Sequence, residues 1–253
     1  MSTKKYLIGN WKMNNLSAEV KSFAENLNQN LLEVPNDFEC WIAPAYIYIN
    51  ELRELVNKNI IKVGSQNIHW LDKGAHTGEI SPLMLKEIGG EFAIIGHSER
   101  RQFYGETNQF VKDRAKAALA HGLSAVLCVG ETREEYEKGI TIEVLREQLV
   151  QSLSRDLPNL DKLIIVYEPV WAIGTGLVPT LEIISNVHNE IRAILNEIFA
   201  KETTFPILYG GSVTPDNVAD ILKCSNVSGA LVGGASVKAD SYISLIKNAA
   251  CSK

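Results

Sequence analysis

The chain has 253 residues, of which 45% are hydrophobic and 22% are charged, as in ordinary globular proteins. Its formal net charge of -5 argues against a nucleic-acid partner, because such proteins present basic surfaces. No apolar run approaches the roughly 18 residues of a membrane helix. The opening stretch, MSTKKYLIGNWKMN, holds too few consecutive apolar residues for a secretory signal. We therefore expect neither a membrane nor a nucleic acid as partner.

The cysteines point to a reducing compartment. Cys40, Cys128, Cys224 and Cys251 form neither a CxxC pair nor a zinc-ligand spacing. Cys40 and Cys128 stand inside apolar runs, which predicts buried, reduced thiols. Together with the missing signal pattern, this indicates the cytoplasm.

Eight short apolar runs are predicted as β-strands, at residues 6–10, 38–43, 61–66, 91–96, 124–130, 163–168, 206–211 and 229–234. Helical patterns occupy most of the intervals, near residues 17–32, 46–57, 108–120, 134–153, 181–199, 215–222 and 240–249. Most of these begin at a residue that suits an N-cap, namely Ser17, Thr107, Thr132, Thr180 and Thr214.

Strands that are apolar on both faces and alternate with helices are typical of a parallel sheet. Eight such units in 253 residues match the size of a single (β/α)₈ TIM barrel of the α/β class, with residues 1–253 as one domain. A doubly wound open sheet is the alternative. It is disfavoured because the first strand leads to NWKMN and not to a GxGxxG loop.

The carboxyl ends of the strands are where this fold places its active sites. The first strand ends at Asn10 and leads to Lys12, the fourth leads to His97, and the sixth ends at Glu168. Each residue also has a plain structural explanation. Lys12 would be a solvated loop lysine, His97 a hydrogen-bonded residue near a helix start, and Glu168 the partner of Lys12 or Arg100. Their convergence on one barrel mouth favours a chemical role.

Glycine pairs stand at the ends of the predicted seventh and eighth strands, at Gly210–Gly211 and Gly233–Gly234. As turn residues they would need no further explanation. Gly211 followed by Ser212, and Gly233 followed by Gly234, however, allow backbone N–H groups to approach an anion closely, and this fold often binds phosphate there. The segment 233–240 can also begin a helix whose positive end faces the phosphate. The pattern predicts a small phosphorylated substrate.

The three charged or titratable residues suit proton transfer beside a carbonyl group. Glu168 would take a carbon-bound proton, His97 as a neutral imidazole would polarise the carbonyl, and Lys12 would stabilise the enediolate. His97 starts a helical segment, whose positive end disfavours imidazolium. The sequence contains no metal-ligand cluster, serine–histidine pair or cofactor motif, so we expect neither a metal nor a cofactor.

Long motifs in one order along the whole chain resemble the triosephosphate isomerase family. They are GNWKMN (9–14), GAHTGEIS (74–81), IIGHSERR (94–101), LCVGET (127–132), YEPVWAIGTG (167–176), YGGSV (209–213) and LVGGAS (231–236). The resemblance implies cofactor-independent interconversion of dihydroxyacetone phosphate and glyceraldehyde 3-phosphate, a step of glycolysis and gluconeogenesis. It further implies substrate contacts from Asn10, Lys12, Gly174, Ser212, Gly233 and Gly234, and supporting roles for Ser98 and Glu99.

The segment after Glu168 is predicted to form a lid over the site, at residues 169–178: Pro169, Val170, Trp171, Ala172, Ile173, Gly174, Thr175, Gly176, Leu177 and Val178. Its apolar residues would exclude water, and its glycines would present N–H groups to phosphate. Leu177 replaces the lysine that is usual in the family, and Pro179 replaces an alanine. Because proline restricts its own φ and the preceding residue, we expect altered opening kinetics.

The segment 65–81 is long for a loop after a barrel strand and carries Ile68, Trp70 and Leu71. It would either fold over its own barrel or contact a second subunit. The resemblance favours a homodimer, with Thr77 near Asn10 and Lys12 of the partner subunit. His76 stands where the family often has an aromatic residue.

Three other functions fit a barrel of this size. A sugar-phosphate epimerase would show metal ligands or paired acidic residues at strand ends, and a Schiff-base aldolase would need a lysine in strand six, where Ile165 and Val166 stand. The third alternative is a barrel kept as a binding or surface-adhesion protein. Lys12, His97 and Glu168 together argue against a loss of catalysis but leave a second binding role open.

Overall fold

The computed structural model describes residues 4–174 and 177–250. All eight predicted strands are confirmed, with slightly different ends: β1 Lys5–Asn10, β2 Phe38–Ala43, β3 Ile61–Val63, β4 Phe92–Ile95, β5 Ser124–Val129, β6 Leu163–Tyr167, β7 Ile207–Tyr209 and β8 Gly229–Val232. Glu168 therefore directly follows β6 and does not end it.

The strands form one parallel sheet in the order β3–β2–β1–β8–β7–β6–β5–β4. A parallel bridge between Ser65 and Ala93 joins the two outer strands. The Ser65 N–H donates to Phe92 O at 2.9 Å, and the Ile94 N–H donates to Ser65 O at 2.9 Å. The sheet thus closes into the expected (β/α)₈ barrel, and the open-sheet alternative is wrong.

The helices of the described residues surround this barrel: α1 Ser17–Asn30, α2 Ile49–Leu55, α3 Pro82–Glu87, α4 Ser98–Tyr104, α5 Asn108–Ala120, α6 Arg133–Glu137, α7 Thr141–Ser152, α8 Leu181–Phe199, α9 Val218–Ile221 and α10 Ala239–Ala250. The helix predicted at 134–153 is divided by Gly139, whose φ of +72° favours glycine. Helix α3 was not predicted, although Ser81 caps it by accepting a hydrogen bond from the Met84 N–H at 3.2 Å.

Three of the five predicted N-caps are confirmed. Thr107, Thr132 and Thr180 each accept a hydrogen bond from the third residue of the helix that follows. Ser17 and Thr214 are not caps. Leu16 precedes α1, and its N–H donates to the Glu19 carboxylate at 2.7 Å. Asn217 precedes α9, and its side-chain oxygen accepts from the Thr214 N–H at 2.8 Å.

Alternation along the strands divides the core into two layers. One cluster fills the barrel interior, with Ile8, Trp41, Phe92, Ile94, Val126, Cys128, Ile164, Val166, Leu208 and Leu231 among its members. The alternate strand residues pack outward against the helices. Cys40 and Cys128 are buried as predicted, while Cys251 lies outside the described residues. Among the described residues, no helix has both the length and the apolar character to cross a membrane.

Candidate active site

Glu168 is buried at the mouth of the barrel. It continues the inward-facing row Ile164, Val166 of β6, so strand alternation aims its side chain at the barrel axis. One carboxylate oxygen, Oε1, lies 2.9 Å from His97 Nε2, and the other accepts the Ser98 N–H at 2.9 Å. The sequence-based structural alternative, pairing with Arg100 or Lys12, is not what the structure shows: these two pair with Glu106 and Glu99.

His97 is the N-cap of α4 and is also buried. Its Nδ1 accepts the Glu99 N–H at 3.2 Å, so this nitrogen carries a lone pair. The ring hydrogen therefore lies on Nε2 and points to Glu168. The preceding residue, Gly96, has a φ of +68° that reverses the chain between β4 and α4. The glycine thus allows the histidine to turn into the barrel mouth.

Lys12 adopts a left-handed backbone with a φ of +53°, which is uncommon for a residue with a side chain. Its N–H donates to Asn10 Oδ1 at 3.2 Å, and its carbonyl accepts from Gln66 Nε2 at 2.8 Å. The ammonium nitrogen lies 2.5 Å from Glu99 Oε1. The surroundings therefore hold a strained backbone that keeps the ammonium at the site.

The charges of the site favour an ionised Glu168. Burial alone would raise the pKa of its carboxyl group, but His97, the Ser98 N–H and Lys12 together lower that pKa below the ordinary value. Burial likewise opposes protonation of His97, but the carboxylate of Glu168 outweighs burial and raises the pKa of the histidine. The ionised carboxylate and the imidazole thus stabilise each other while they remain in contact.

A cavity of about 320 Å³ connects these residues with the glycine loops. Asn10, Lys12, His97 and Glu168 line one part of it. The other part is lined by Leu231 of β8 and by residues of the lid and of the loops after β7 and β8: Ile173, Gly174, Gly210, Gly211, Ser212, Val213, Thr214, Gly233, Gly234 and Ala235. The structure therefore brings the predicted acid–base residues and the predicted phosphate loops to one cavity. A 3₁₀ turn at Gly234–Ser236, and not the start of α10, presents the N–H groups after β8.

The lid begins with Pro169 and a 3₁₀ turn at Val170–Ala172. Trp171 donates its indole N–H to Glu131 Oε1 at 2.8 Å and stacks on Tyr136 at 4.2 Å between ring centres. Ser212 Oγ donates to Ala172 O at 2.7 Å, which ties the lid to the loop after β7. Leu177 and Val178 are exposed, whereas Pro179 is buried. Thr175 and Gly176 lie outside the described residues.

Glu131 is a residue that the sequence reasoning missed. Its side chain is fully buried, and Oε1 accepts hydrogen bonds from both Trp171 and Tyr167. Burial raises the pKa of this carboxyl group, while these hydrogen bonds oppose the rise. It stands two residues after β5, so the search of strand ends would have found it had the fifth strand been included.

Comparisons with known proteins identify one family. The model of the family described as triosephosphate isomerase matches residues 5–249. The chain belongs to the triosephosphate isomerase family. Proteins named triosephosphate isomerase from Dehalococcoides mccartyi and Chlorobium phaeobacteroides are 45% and 42% identical over 246 and 248 residues. The first alignment covers 96% of each chain, and the second covers 97% of this chain and 99% of the relative.

Another protein of that name, from Chlamydia muridarum, is 40% identical over 250 residues, covering 98% of this chain and 92% of its own. The triosephosphate isomerase family match spans all eight strands, so it includes every loop that lines the cavity. Within the described residues, no group of three or more His, Cys, Asp or Glu side chains is placed to hold a metal ion.

Proposed function

We propose that this chain, acting as one catalytic domain over residues 1–253, interconverts dihydroxyacetone phosphate and D-glyceraldehyde 3-phosphate without a cofactor. It is an aldose–ketose isomerase that works through an enediolate. The observation that carries the mechanism is the contact of Glu168 with His97 at 2.9 Å in a cavity that ends in glycine loops. A carboxylate base, a hydrogen-bond donor and a phosphate cradle thus share one space.

The phosphate group binds at the glycine-rich part of the cavity. Gly233 and Gly234 have room for an anion, because a Cβ atom built on Gly233 would come no nearer than 3.5 Å to Lys12, and one on Gly234 would meet nothing within 4 Å. The phosphate oxygens accept hydrogen bonds from the backbone N–H groups of these two glycines, of Gly174 and of Ser212. With the phosphate there, the carbonyl carbon and its neighbour reach the charged residues.

Glu168 then removes the carbon-bound proton. The substrate separates the carboxylate from the imidazole, so the influence that raises the pKa of His97 is weakened, while burial and the start of α4 favour the neutral ring. Neutral His97 donates its Nε2 hydrogen to the developing oxyanion and moves protons between the two substrate oxygens. Lys12 stabilises the negative charge, and Asn10 supports the Lys12 backbone. Ser98 and Glu99 position Glu168 and Lys12 through the contacts already described.

The test is isomerase turnover on D-glyceraldehyde 3-phosphate, measured by a coupled assay beside Glu168→Gln. The amide keeps the shape of the side chain but cannot act as a base, so we expect a loss of about 10²–10⁴-fold or more in kcat. Turnover in D₂O gives a second readout, since an enediolate route places solvent deuterium on carbon. Absent turnover in folded protein, or a Gln variant of undiminished activity, would overturn the proposal.

The lid, residues 169–178, protects the enediolate from loss of phosphate. Ile173 lines the cavity, and Trp171 is held beside it by the hydrogen bond to Glu131. Closure of the lid therefore removes water from around Glu168. Deleting the lid tip is expected to increase formation of methylglyoxal and inorganic phosphate relative to isomerisation. Unchanged partitioning between these products would contradict a sequestering role.

The protein acts as a homodimer through residues 65–81, in the cytoplasm. Ile68 and His69 are buried within their own subunit, but Leu71 to Gly78 are exposed. A groove of about 480 Å³ lies on the same subunit, lined by Met13, Asn14, Asn15, Leu16, Glu19, Ala45, Ile47, Tyr48 and Val237. Met13 and Ile47 are 96% and 78% exposed there. This apolar surface fits the partner subunit's loop, which would bring its Thr77 towards Asn10 and Lys12.

Sedimentation velocity tests the dimer. Ile47→Asp places a charge in the groove and is expected to shift the protein to monomers, whereas Val150→Asp changes a residue that is 52% exposed on α7 and should leave the dimer intact. A monomeric parent protein, or a dimer unaffected by Ile47→Asp, would refute this interface.

A further inference from the structure

Arg101 lies on α4 but extends its side chain back to the ends of two barrel strands. Its Nε donates to Gly96 O at 2.9 Å, and Nη2 donates to Cys128 O at 3.3 Å. Its third nitrogen, Nη1, donates to Asn108 Oδ1 at 2.6 Å. The guanidinium therefore bridges the carboxyl ends of β4 and β5 and anchors the start of α5.

The two consecutive arginines of α4 have different partners. Arg100 pairs with the carboxylate of Glu106. Arg101 forms no ion pair in the part of the chain that the structure describes, and its three hydrogen bonds go to the neutral oxygens of Gly96, Asn108 and Cys128. A partly buried cation without a carboxylate partner is unfavourable for stability, so its position calls for an explanation other than ion pairing.

The first consequence of this position concerns His97. The Gly96 carbonyl belongs to the peptide group that precedes His97, so the hydrogen bond from Arg101 fixes the plane from which the histidine projects. The left-handed φ of Gly96 already requires glycine, and a Cβ atom there would lie 3.2 Å from Arg101 Nη2 and 2.7 Å from Val111. Arg101 thus packs directly against the turn that aims His97.

The second consequence concerns Glu168. Arg101 and Glu168 line the same small cavity of about 190 Å³, on the side of Glu168 where Val129, Gly130 and Val170 lie. Burial lowers the pKa of Arg101, while the charges of Glu168 and Glu106 oppose this effect. An arginine remains protonated under such conditions. It therefore keeps a permanent positive charge at the cavity that Glu168, whose carboxylate must stay ionised in a buried site, also lines.

We propose that Arg101 is a positioning residue for the isomerase reaction, which fixes the Gly96–His97 peptide and supports the ionised state of Glu168 from behind the site. The proposal rests on the roles proposed above for His97 and Glu168. It assigns to Arg101 an action on kcat and on the pH dependence of catalysis, without contact with the substrate.

The experiment compares Arg101→Gln, Arg101→Lys and Arg192→Gln in the full chain. Arg192 is a matched control: it is also partly buried, and it donates to the carbonyl oxygens of Thr203 at 3.0 Å and Phe205 at 2.6 Å, before β7 and away from the cavity. Both Gln variants lose a cation that holds backbone carbonyls. Urea unfolding reports the stability of each, and steady-state kinetics from pH 3 to pH 9 reports kcat, KM and the acidic limb of kcat/KM.

For Arg101→Gln we expect kcat to fall by about 100-fold through misplacement of His97, with KM little changed. The acidic break that belongs to Glu168 should move to higher pH, because the loss of a cation makes ionisation harder. Arg101→Lys retains the charge and should keep that break in place, with a smaller loss in kcat. If Arg101→Gln does not fold, the kcat of Arg101→Lys still tests the positioning of His97. Arg192→Gln should lose stability alone.

An Arg101→Gln enzyme whose kcat and acidic break match those of Arg192→Gln would overturn the proposal, since Arg101 would then be purely structural. A shift of the break in Arg101→Lys equal to that in Arg101→Gln would equally refute the role of the charge. Activity of the parent protein and its loss in Glu168→Gln are measured in the same series. Failure of the proposed function therefore appears in the parent protein and is separate from failure at Arg101.

Discussion

Gly210 offers a sharp test of how precisely Glu168 is placed. It follows β7, and its N–H donates to Tyr167 O at 2.7 Å, so its backbone is fixed beside the end of β6. Its φ is not in the left-handed region, so alanine is acceptable to the backbone itself. The effect of Gly210→Ala is therefore due to the new methyl group alone.

That methyl group would lie 2.7 Å from Val166 Cγ1 and 2.9 Å from Glu168 Cγ. Carbon atoms pack at about 3.5–4.0 Å, so the neighbours must move by roughly 0.5–1 Å. Val166 is β-branched and lies in the barrel interior, which leaves it little freedom. Glu168 is unbranched and is expected to move more, away from the position in which its carboxylate meets His97 and Ser98.

A displacement of this size is expected to reduce kcat by about 10–100-fold, which corresponds to about 1.4–2.7 kcal/mol of transition-state stabilisation. KM should change little, because the glycines proposed to bind phosphate are untouched. Overpacking should also lower stability by about 1–3 kcal/mol. The assay is steady-state turnover of D-glyceraldehyde 3-phosphate, with urea unfolding of the same samples.

The double variant Gly210→Ala, Val166→Ala separates the two contacts, since it removes Cγ1 but leaves the contact with Glu168. The stability of the double variant should partly recover relative to Gly210→Ala, while the loss in kcat remains. The single variant Val166→Ala measures the cost of the cavity that the smaller side chain leaves. Parental kcat in a folded Gly210→Ala enzyme would show that the carboxylate tolerates the displacement, and the reasoning from its position would be wrong.

Three further perturbations test other parts of the structure. Trp171→Phe keeps the aromatic ring but removes the donor to Glu131, which should weaken this lid contact by about 1.5–3 kcal/mol and speed lid relaxation in NMR dispersion; unchanged relaxation would count against it. Burial lowers the pKa of His188 to about 4, so stability should fall by up to about 3 kcal/mol as the pH drops from about 6.5 towards 4. In urea unfolding at a series of pH values, His188→Gln should abolish this part of the pH dependence of stability. An equal pH dependence in the variant and the parent protein would contradict its assignment to His188. Pro179→Ala should change lid kinetics with the chemistry intact, a prediction that fails if relaxation and turnover both stay the same.

The fold was predictable because the strands are apolar on both faces and the caps at Thr107, Thr132 and Thr180 are local signals. The errors arise where tertiary contacts determine the ends of helices and strands. Gly139 has a left-handed backbone that divides a continuous helical pattern. The third strand was expected to reach residue 66 but ends at Val63, because the chain beyond it turns Gln66 towards Lys12 and Ala43.

The positions of Asn10, Lys12, His97 and Glu168 around one cavity followed from strand ends alone. What the sequence does not contain is which donor meets which acceptor. The pairing of Lys12 with Glu99 spans 87 residues, and that of Ser98 with Glu168 spans 70. Such contacts depend on the closure of the barrel, and no local pattern encodes them.

The period of two along a strand links the packed interior to the chemistry at its mouth. In β6 the row Ile164, Val166 fills the barrel, and the next inward position is Glu168. In β1 the same row begins with Ile8 and continues at Asn10. The positions that supply apolar packing below therefore supply polar groups one step above, where the layer of side chains ends. A carboxylate on this row is held rigidly by the packed barrel beneath it. For this reason a single methyl group at Gly210 is expected to lower kcat.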